Sequence, residues 1–526
     1  MERKRPNLVS KINSIWIVGG GTSGASVACV LKKTFPKKDI RILEGRDIPT
    51  IGVGESTLGH INNFLQFLNI QDKDFMKRCD ASYKLSIRFE NWLNKDSGSF
   101  HYPFGNAYYD KVINNYNYWY YRKFLNPKIP NTDFADCMFP QMALVNKNKI
   151  CEQDGVFPHW TMKRDCAYHF DATKFGILLK EKFRELGGRI LVENIVNVQR
   201  NEDGSIKQLD LDTKNSVKGD LYIDCTGFKS LLLDKTMKEP FESYEDILPN
   251  NSAWATKQPY KNKRKELVGY TNCKAVENGW IWSIPLWSRM GTGYVYSNKY
   301  INDDDALKQF QNYLGTEDLE FKKLKMRIGI HKRLWVQNVC AIGLSSGFIE
   351  PLESNGLLTL HHFIQNLIPI LKKEIVNEFA KQHYNMACRR MFRGFAEFVA
   401  MHYALSNRTD TEYWRDIQKR NYKIEEKFLD NSDFQLAFRN KMEANYWHPT
   451  GGIPCIATGM DWFPTTLETI QYAHLQTNTE YWKKEWSEVS KHFEKRKRKF
   501  KKLAKSCPTL YDYLKENIYN NDDAKA

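Results

Sequence analysis

Ile15-Trp16-Ile17-Val18-Gly19-Gly20-Gly21-Thr22-Ser23-Gly24 is the stretch on which the fold turns. Four apolar residues running straight into glycines describe a strand buried on both faces, as in a parallel sheet. Residues 23–33 follow as a helix, with Ala25, Ala28 and Leu31 on related turns, and residues 40–43 return as a strand ending at Glu44. This is a βαβ unit, and Gly19–Gly24 satisfies G-x-G-x-x-G at its first turn. The first glycine allows the tight turn, the second lets backbone approach a pyrophosphate, and the third lets helix and strand pack closely. Free N–H groups at the helix start suit phosphate oxygens, with Thr22 and Ser23 beside them. Glu44, 20 residues past Gly24, stands where an acid accepts a ribose hydroxyl. Alone the motif is weak; between a strand and a helix it predicts a dinucleotide site.

Further strands are expected at residues 190–198, 208–211, 221–225, 291–297 and 339–343, and a helix at 172–186 stopping at Gly187-Gly188. Asp224-Cys225-Thr226-Gly227 closes a strand with an acid and a glycine, the arrangement that brings a late strand back against a flavin. No second G-x-G-x-x-G is present to hold NAD(P)H, so reducing equivalents are expected as free reduced flavin. Past Gly356 helical patterns take over, as in 363–379 and 386–403. The fold class is therefore α/β: a Rossmann-like FAD-binding module over 12–356, with substrate-pocket segments inserted at about 80–165, then a mostly helical region over 357–526.

With 526 residues and a 42% hydrophobic share, the chain has material for more than one small core. Its 13% aromatic share suits either a ring-filled core or a pocket for another ring. The net charge of +16 invites a nucleic-acid reading, but residues 483–505 alone hold 11 Lys/Arg and 3 Glu. Trp486, Val489, Phe493, Phe500 and Leu503 recur there as one side of a helix with a solvated basic face. No nucleic-acid motif accompanies it, and a nucleic-acid partner is not expected. Eleven cysteines without C-x-x-C pairs or zinc spacing read as reduced, buried thiols in a cytoplasmic chain with no metal site. The basic start and apolar 15–31 resemble a signal peptide, but three glycines interrupt the run. No other stretch is apolar enough to span a membrane, and nothing speaks against a homo-oligomer.

Five further segments carry a resemblance. They are Gly52-Val53-Gly54-Glu55-Ser56-Thr57, Tyr168-His169-Phe170-Asp171-Ala172, Trp280-Ile281-Trp282-Ser283-Ile284-Pro285, Gly347-Phe348-Ile349-Glu350-Pro351-Leu352-Glu353-Ser354, and Met401-His402-Tyr403 followed by Arg408-Thr409-Asp410. Together with the dinucleotide motif, they resemble the flavin-dependent halogenases, and the tryptophan halogenases most closely, from about residue 14 to about 414. The resemblance implies that reduced FAD, oxygen and halide yield hypohalous acid by way of a flavin hydroperoxide. A tunnel then carries the acid to a lysine beside an aromatic substrate such as an indole or phenol. A separate flavin reductase supplies the flavin. Lys84 matches the family's lysine and Glu353 its glutamate. Gly54, Glu55, Ser56, Val196, Asp224, Gly227 and Leu344 join Gly19, Gly21 and Gly24 as flavin contacts. Backbone N–H groups of Asn355 and Gly356 match the halide site, with Asn355 where the family carries Thr. Trp280 and Trp282 match a barrier that keeps substrate from the flavin. His101 or Tyr102, Phe104 and Trp447 fall where the family places ring contacts; His448 and Trp462 lie in the same C-terminal stretch.

The side chains suit this chemistry. An amine can hold hypohalous acid by a hydrogen bond or become a haloamine, and burial makes the neutral amine available. A carboxylate can steady the positive arene and accept its proton. Two other readings compete: a flavin-dependent aromatic monooxygenase of the same fold, and a basic nucleic-acid-binding protein. On alternation alone Lys84 is an exposed strand lysine, Glu353 a helix-start acid, and the tryptophans core packing.

Overall fold

The computed structural model describes residues 11–46, 54–114, 116–373, 375–428, 452–462 and 479–520. Strands Ser14–Val18, Asp39–Glu44, Arg189–Val192 and Leu221–Asp224 pair in parallel. Val339–Ala341 extends this sheet in parallel, and Trp335–Val336 closes one edge antiparallel, giving six strands. Alternation sends Ile15 and Ile17 into one apolar cluster and Trp16 and Val18 into another on the opposite face, as a doubly covered sheet requires. Helices Thr22–Thr34 and Ala172–Glu185 pack against each other on the first of these clusters. The second is capped by Asp171, whose carboxylate accepts from the N–H groups of Thr173 and Lys174.

A seven-stranded sheet stands beside it, in the order Lys322–Lys325, Ser252–Gln258, Met290–Tyr296, Gly279–Pro285, Tyr270–Val276, Ser86–Glu90, Ser99–Pro103. The last two strands come from the segment around 80–165, and Ser86–Glu90 joins Tyr270–Val276 in parallel. Glu55–Ser56, Ala167–Phe170 and Ser82–Lys84 make a three-stranded sheet that meets the seven-stranded one where Ser82–Lys84 lies against Tyr270–Val276. One buried cluster runs from Ile12 to Tyr519.

Two expectations need correction. Residues 190–198 are two strands in different sheets, Arg189–Val192 and Ile195–Arg200, because the chain turns at Glu193 and Asn194. Residues 363–379 are not one helix: Gly356–Leu371 ends soon after Pro369, which has no N–H to give, and Glu378–Ala404 starts afresh behind Asn377, whose side chain caps Ala380 N. Among the described residues no strand follows Phe348. The basic helix Thr479–Lys505 lies on the 108–137 region. Val489, Phe493 and Phe500 are buried, Arg496 stacks over Tyr108, and Lys497 pairs with Asp133. That face is packing, as its periodicity indicated.

Candidate active site

The nucleotide turn is built from backbone. A Cβ on Gly24 would lie 1.8 Å from the Gly19 carbonyl, and one on Gly20 would meet the Glu44 carboxylate at 1.7 Å, so only glycine fits either position. Gly21, in contrast, opens on free space, as does Gly227, which holds φ +68°. The helix starting at Thr22 has no acid in its first turn and no side-chain cap, leaving its N–H groups free for an anion. Gly227, Leu344 and Ser23 converge here: Ser345 donates to the Gly227 carbonyl, and a Cβ on Gly343 would meet Ser23 Oγ at 2.5 Å. A glycine cradle with an uncapped helix start fits FAD.

Other residues assigned to the cofactor are placed differently. The Asp224 carboxylate is buried and accepts from Thr226 N and Oγ1 and from Leu232 and Leu233 N, so it ties its own turn together and leaves cofactor contact to backbone. Glu44 is paired with Lys180 Nζ at 3.0 Å. Val196 is 64% exposed, on a strand outside the parallel sheet. Thr22 Oγ1 donates to the Ala172 carbonyl. Gly54 is described, with φ +102°, whereas Gly52 and Val53 lie outside the described residues, as do Trp447 and His448. Trp462 is buried near Tyr120.

Lys84 and Glu353 are each 0% exposed and come together from distant segments. Lys84 Nζ donates to the Thr57 carbonyl at 2.9 Å and to Ser354 Oγ at 2.7 Å, and sits 4.8 Å from the Phe104 ring centroid. Burial pulls its amine down to about 7 against the opposing influence of Cys273, Glu353 and Glu55. Glu353 Oε1 is 2.8 Å from His402 Nε2, and Oε2 is buried without a hydrogen-bond partner. Burial raises its carboxyl, with His402 and then Lys84 pulling the other way. Ser354 takes the left-handed conformation at φ +55°, which swings the chain from Glu353 to Asn355.

Asn355 precedes the helix that opens at Gly356, and its buried Nδ2 has no partner. Glu55 reaches this point: its Oε1 lies 3.6 Å from where a Gly356 Cβ would be. Burial lifts Glu55 to about 7, with Lys84 opposing. Ser56 Oγ touches both Ser354 Oγ and Thr271 Oγ1. Both residues assigned to flavin by sequence thus join the Lys84 end of the molecule.

On strand Ser99–Pro103 alternation sends His101 and Tyr102 to opposite faces. His101 bonds Ser86 and packs edge-on against Tyr270, whereas Tyr102 contacts Phe104 edge-on at 5.6 Å and lies close enough to feel the Glu353 charge. Trp280 and Trp282 are buried with centroids 6.2 Å apart. Trp280 donates to Glu350 Oε2, which also accepts from Asn250 and Tyr403. Sequence reasoning missed this role of Glu350, and those of Thr57, Thr271 and His402; Glu350, Thr57 and His402 stood inside quoted motifs, which was the available signal, whereas Thr271 stood in none.

A sequence profile described as Tryptophan halogenase matches residues 14–474. The chain belongs to the tryptophan halogenase family. It is similar to the 7-chloro-L-tryptophan 6-halogenase KtzR of Kutzneria sp. (strain 744), at 35% identity over 77% of this chain and 81% of that one. It is similar to the tryptophan 7-halogenase RebH of Lentzea aerocolonigenes, at 30% identity over 96% and 99%. Among solved structures, the apo structure of VirX1 superposes with a TM-score of 0.86 at 37% identity, covering 97% of this chain and all of that one. As a member of this family, the protein is a flavin-dependent halogenase that uses reduced FAD and halide on an aromatic substrate, and enzymes of this family work with a separate flavin reductase. The monooxygenase reading is not favoured. Among the described residues no helix is long and apolar enough to cross a membrane.

Proposed function

We propose that Lys84 holds and aims the hypohalous acid while Glu353 receives the proton that the ring releases. The observation that carries this reading is the sealed pair itself: an amine drawn down to about 7, with an aromatic ring 4.8 Å away and a carboxylate whose Oε2 is buried and uncommitted. The turn Gly19–Gly24, Gly227 and Leu344 would hold reduced FAD, which when bound would supply the two electrons that, with oxygen and halide, give hypohalous acid and water. Backbone N–H groups of Asn355 and Gly356 would hold halide, a suitable task for a helix start. Trp280, fixed by Glu350, and Trp282 would keep the arene from the flavin, and an internal passage would deliver the acid to Lys84. Tyr102 and Phe104 are the ring contacts, and the substrate is a small electron-rich arene of the indole or phenol class. Residues 12–356 are read as the FAD module, with 80–165 inserted, and 357–526 as its helical cover.

In this arrangement the lysine restrains a promiscuous oxidant by hydrogen bond or as a haloamine. Glu353 Oε2 faces the positive charge that grows on the arene and then takes its proton, with His402 bracing Oε1. The test is incubation with FAD, a flavin reductase, NADH and a panel of indoles and phenols, run separately with chloride, bromide and iodide and read by mass spectrometry. Halogenated arene is expected with at least one halide. Hydroxylated product without halogenated product would overturn the proposal.

A further inference from the structure

Lys84 stands at one end of a buried chain of hydroxyls, and a histidine stands at the other. Nζ meets Ser354 Oγ at 2.7 Å, Ser354 Oγ meets Ser56 Oγ at 3.0 Å, Ser56 Oγ meets Thr271 Oγ1 at 2.7 Å, and Thr271 Oγ1 meets His169 Nε2 at 2.9 Å. Beyond the ring, His169 Nδ1 lies 3.2 Å from Ser82 Oγ, and Ser82 donates its proton to the Pro285 carbonyl. Every member is buried.

Proton counting gives this chain a direction. A carbonyl only accepts, so the single Ser82 hydroxyl proton is committed and its oxygen must accept from His169. Nδ1 therefore carries the imidazole proton and Nε2 presents a lone pair. A neutral ring agrees with the burial and the Lys84 charge that hold His169 well below the usual range. It follows that Thr271 donates to His169, Ser56 to Thr271 and Ser354 to Ser56, which leaves the Ser354 oxygen to accept from Lys84. The Thr57 carbonyl takes a second N–H. Both partners of Nζ thus ask for a proton and neither offers one. With both N–H bonds of the neutral amine donated, its lone pair is left uncommitted, and the Phe104 ring centroid is 4.8 Å from the nitrogen.

Building on the reading of Lys84 as the amine that handles the oxidant, we propose that His169 is a positioning residue for it. Acting through Thr271, Ser56 and Ser354, His169 sets the direction of the chain so that Lys84 donates into it and keeps its lone pair free for hypohalous acid. The charged or titratable groups facing Lys84 are Glu353, Glu55 and Cys273, and the one facing His169 is Lys84 itself. Neither His169→Gln nor Thr271→Val alters Glu353, Glu55, Cys273 or Lys84.

Two measurements test this. Protein labelled with 15N in histidine, with His169→Gln used to assign the signal, is expected to show His169 as the Nδ1–H tautomer from about pH 6 to about pH 8. An Nε2–H tautomer would reverse every bond in the chain and overturn the proposal, whatever the enzyme's activity. Second, Thr271→Val cuts the chain at nearly constant shape, so Ser354 can turn and donate to the amine lone pair. The halogenation rate should fall several-fold, and the pH at which it rises should move down by about one unit, because the ammonium loses an acceptor. Thr271→Ser should restore both. A slower enzyme with an unmoved pH profile would mean packing alone and would also overturn the proposal. Halogenation that survives Lys84→Ala would sink the underlying reading of the lysine while leaving the tautomer result intact, so the two failures are told apart.

Discussion

The nucleotide turn and the Lys84 centre are built on opposite terms. The turn at Gly19–Ser23 is half-buried and consists of glycines and backbone N–H groups drawn from one short stretch. The Lys84 centre consists of buried side chains from residues 56, 84, 104, 271, 353–354 and 402, with the half-buried Glu55 and the Thr57 carbonyl beside them. A polyanion is held by donors that need not leave water. An oxidant must be kept from water, and in such a place ionisation is costly. Titratable groups there converge on neutrality from both sides: Lys84 falls to about 7, Glu55 rises to about 7, and Glu353 rises too. The lesson is that seclusion itself makes the lysine a usable amine.

Substitutions can break this contrast. Lys84→Ala has the largest expected effect: halogenated product falls below detection by mass spectrometry, while FAD binding, followed by flavin fluorescence, is retained. Persistence at the wild-type rate would show that seclusion serves something else. Glu353→Gln keeps the shape but cannot take a proton, so turnover should drop about 100-fold, the usual size of general-base assistance; unchanged turnover would remove the carboxylate from the mechanism. Gly24→Ala acts on the other region, where the added methyl meets the Gly19 carbonyl, and FAD affinity should weaken at least about tenfold as the turn opens. The pH profile sharpens the comparison next. With the amine near 7, the neutral form and hence the rate should climb about tenfold between pH 6 and pH 8. A flat profile would mean that the neutral amine is not the working form. Asn355→Thr should have the smallest effect, since backbone donors survive it: the bromide-to-chloride preference should change by no more than about threefold, and a loss of halide use would place the side chain itself at the anion.

Legibility followed the same divide. Ile15–Val18 and Gly19–Gly24 were readable because a strand, a turn and a helix start are dictated by neighbours in sequence, and the observed strand and helix depart by about a residue at each end. Lys84 was not readable from its own surroundings. On alternation it would be an exposed strand lysine, yet the chain at Ser82–Lys84 is covered on both sides and the residue is 0% exposed. Its identification rested on resemblance. Asp224 is visible as a strand-ending acid, but the four donors that occupy its carboxylate are not, because they come from the turn that folds back on it. The break between the helices at Gly356–Leu371 and Glu378–Ala404 was missed because apolar periodicity runs across it while Pro369 and Asn377 end one helix and begin the next.

The amino-acid sequence by itself determined the parallel-sheet module, the glycine turn and the family, since these depend on spacing along the chain and on motifs that survive without coordinates. Only the tertiary structure decided that Tyr102 rather than His101 lies against Phe104 and within reach of the Glu353 charge, that Glu55 and Ser56 reach the Lys84 end, and that His169 closes a chain of buried hydroxyls. The reason is physical. Hydrogen-bond direction and the cost of charge depend on which groups exclude water from one another, and those groups lie hundreds of residues apart until the chain has folded.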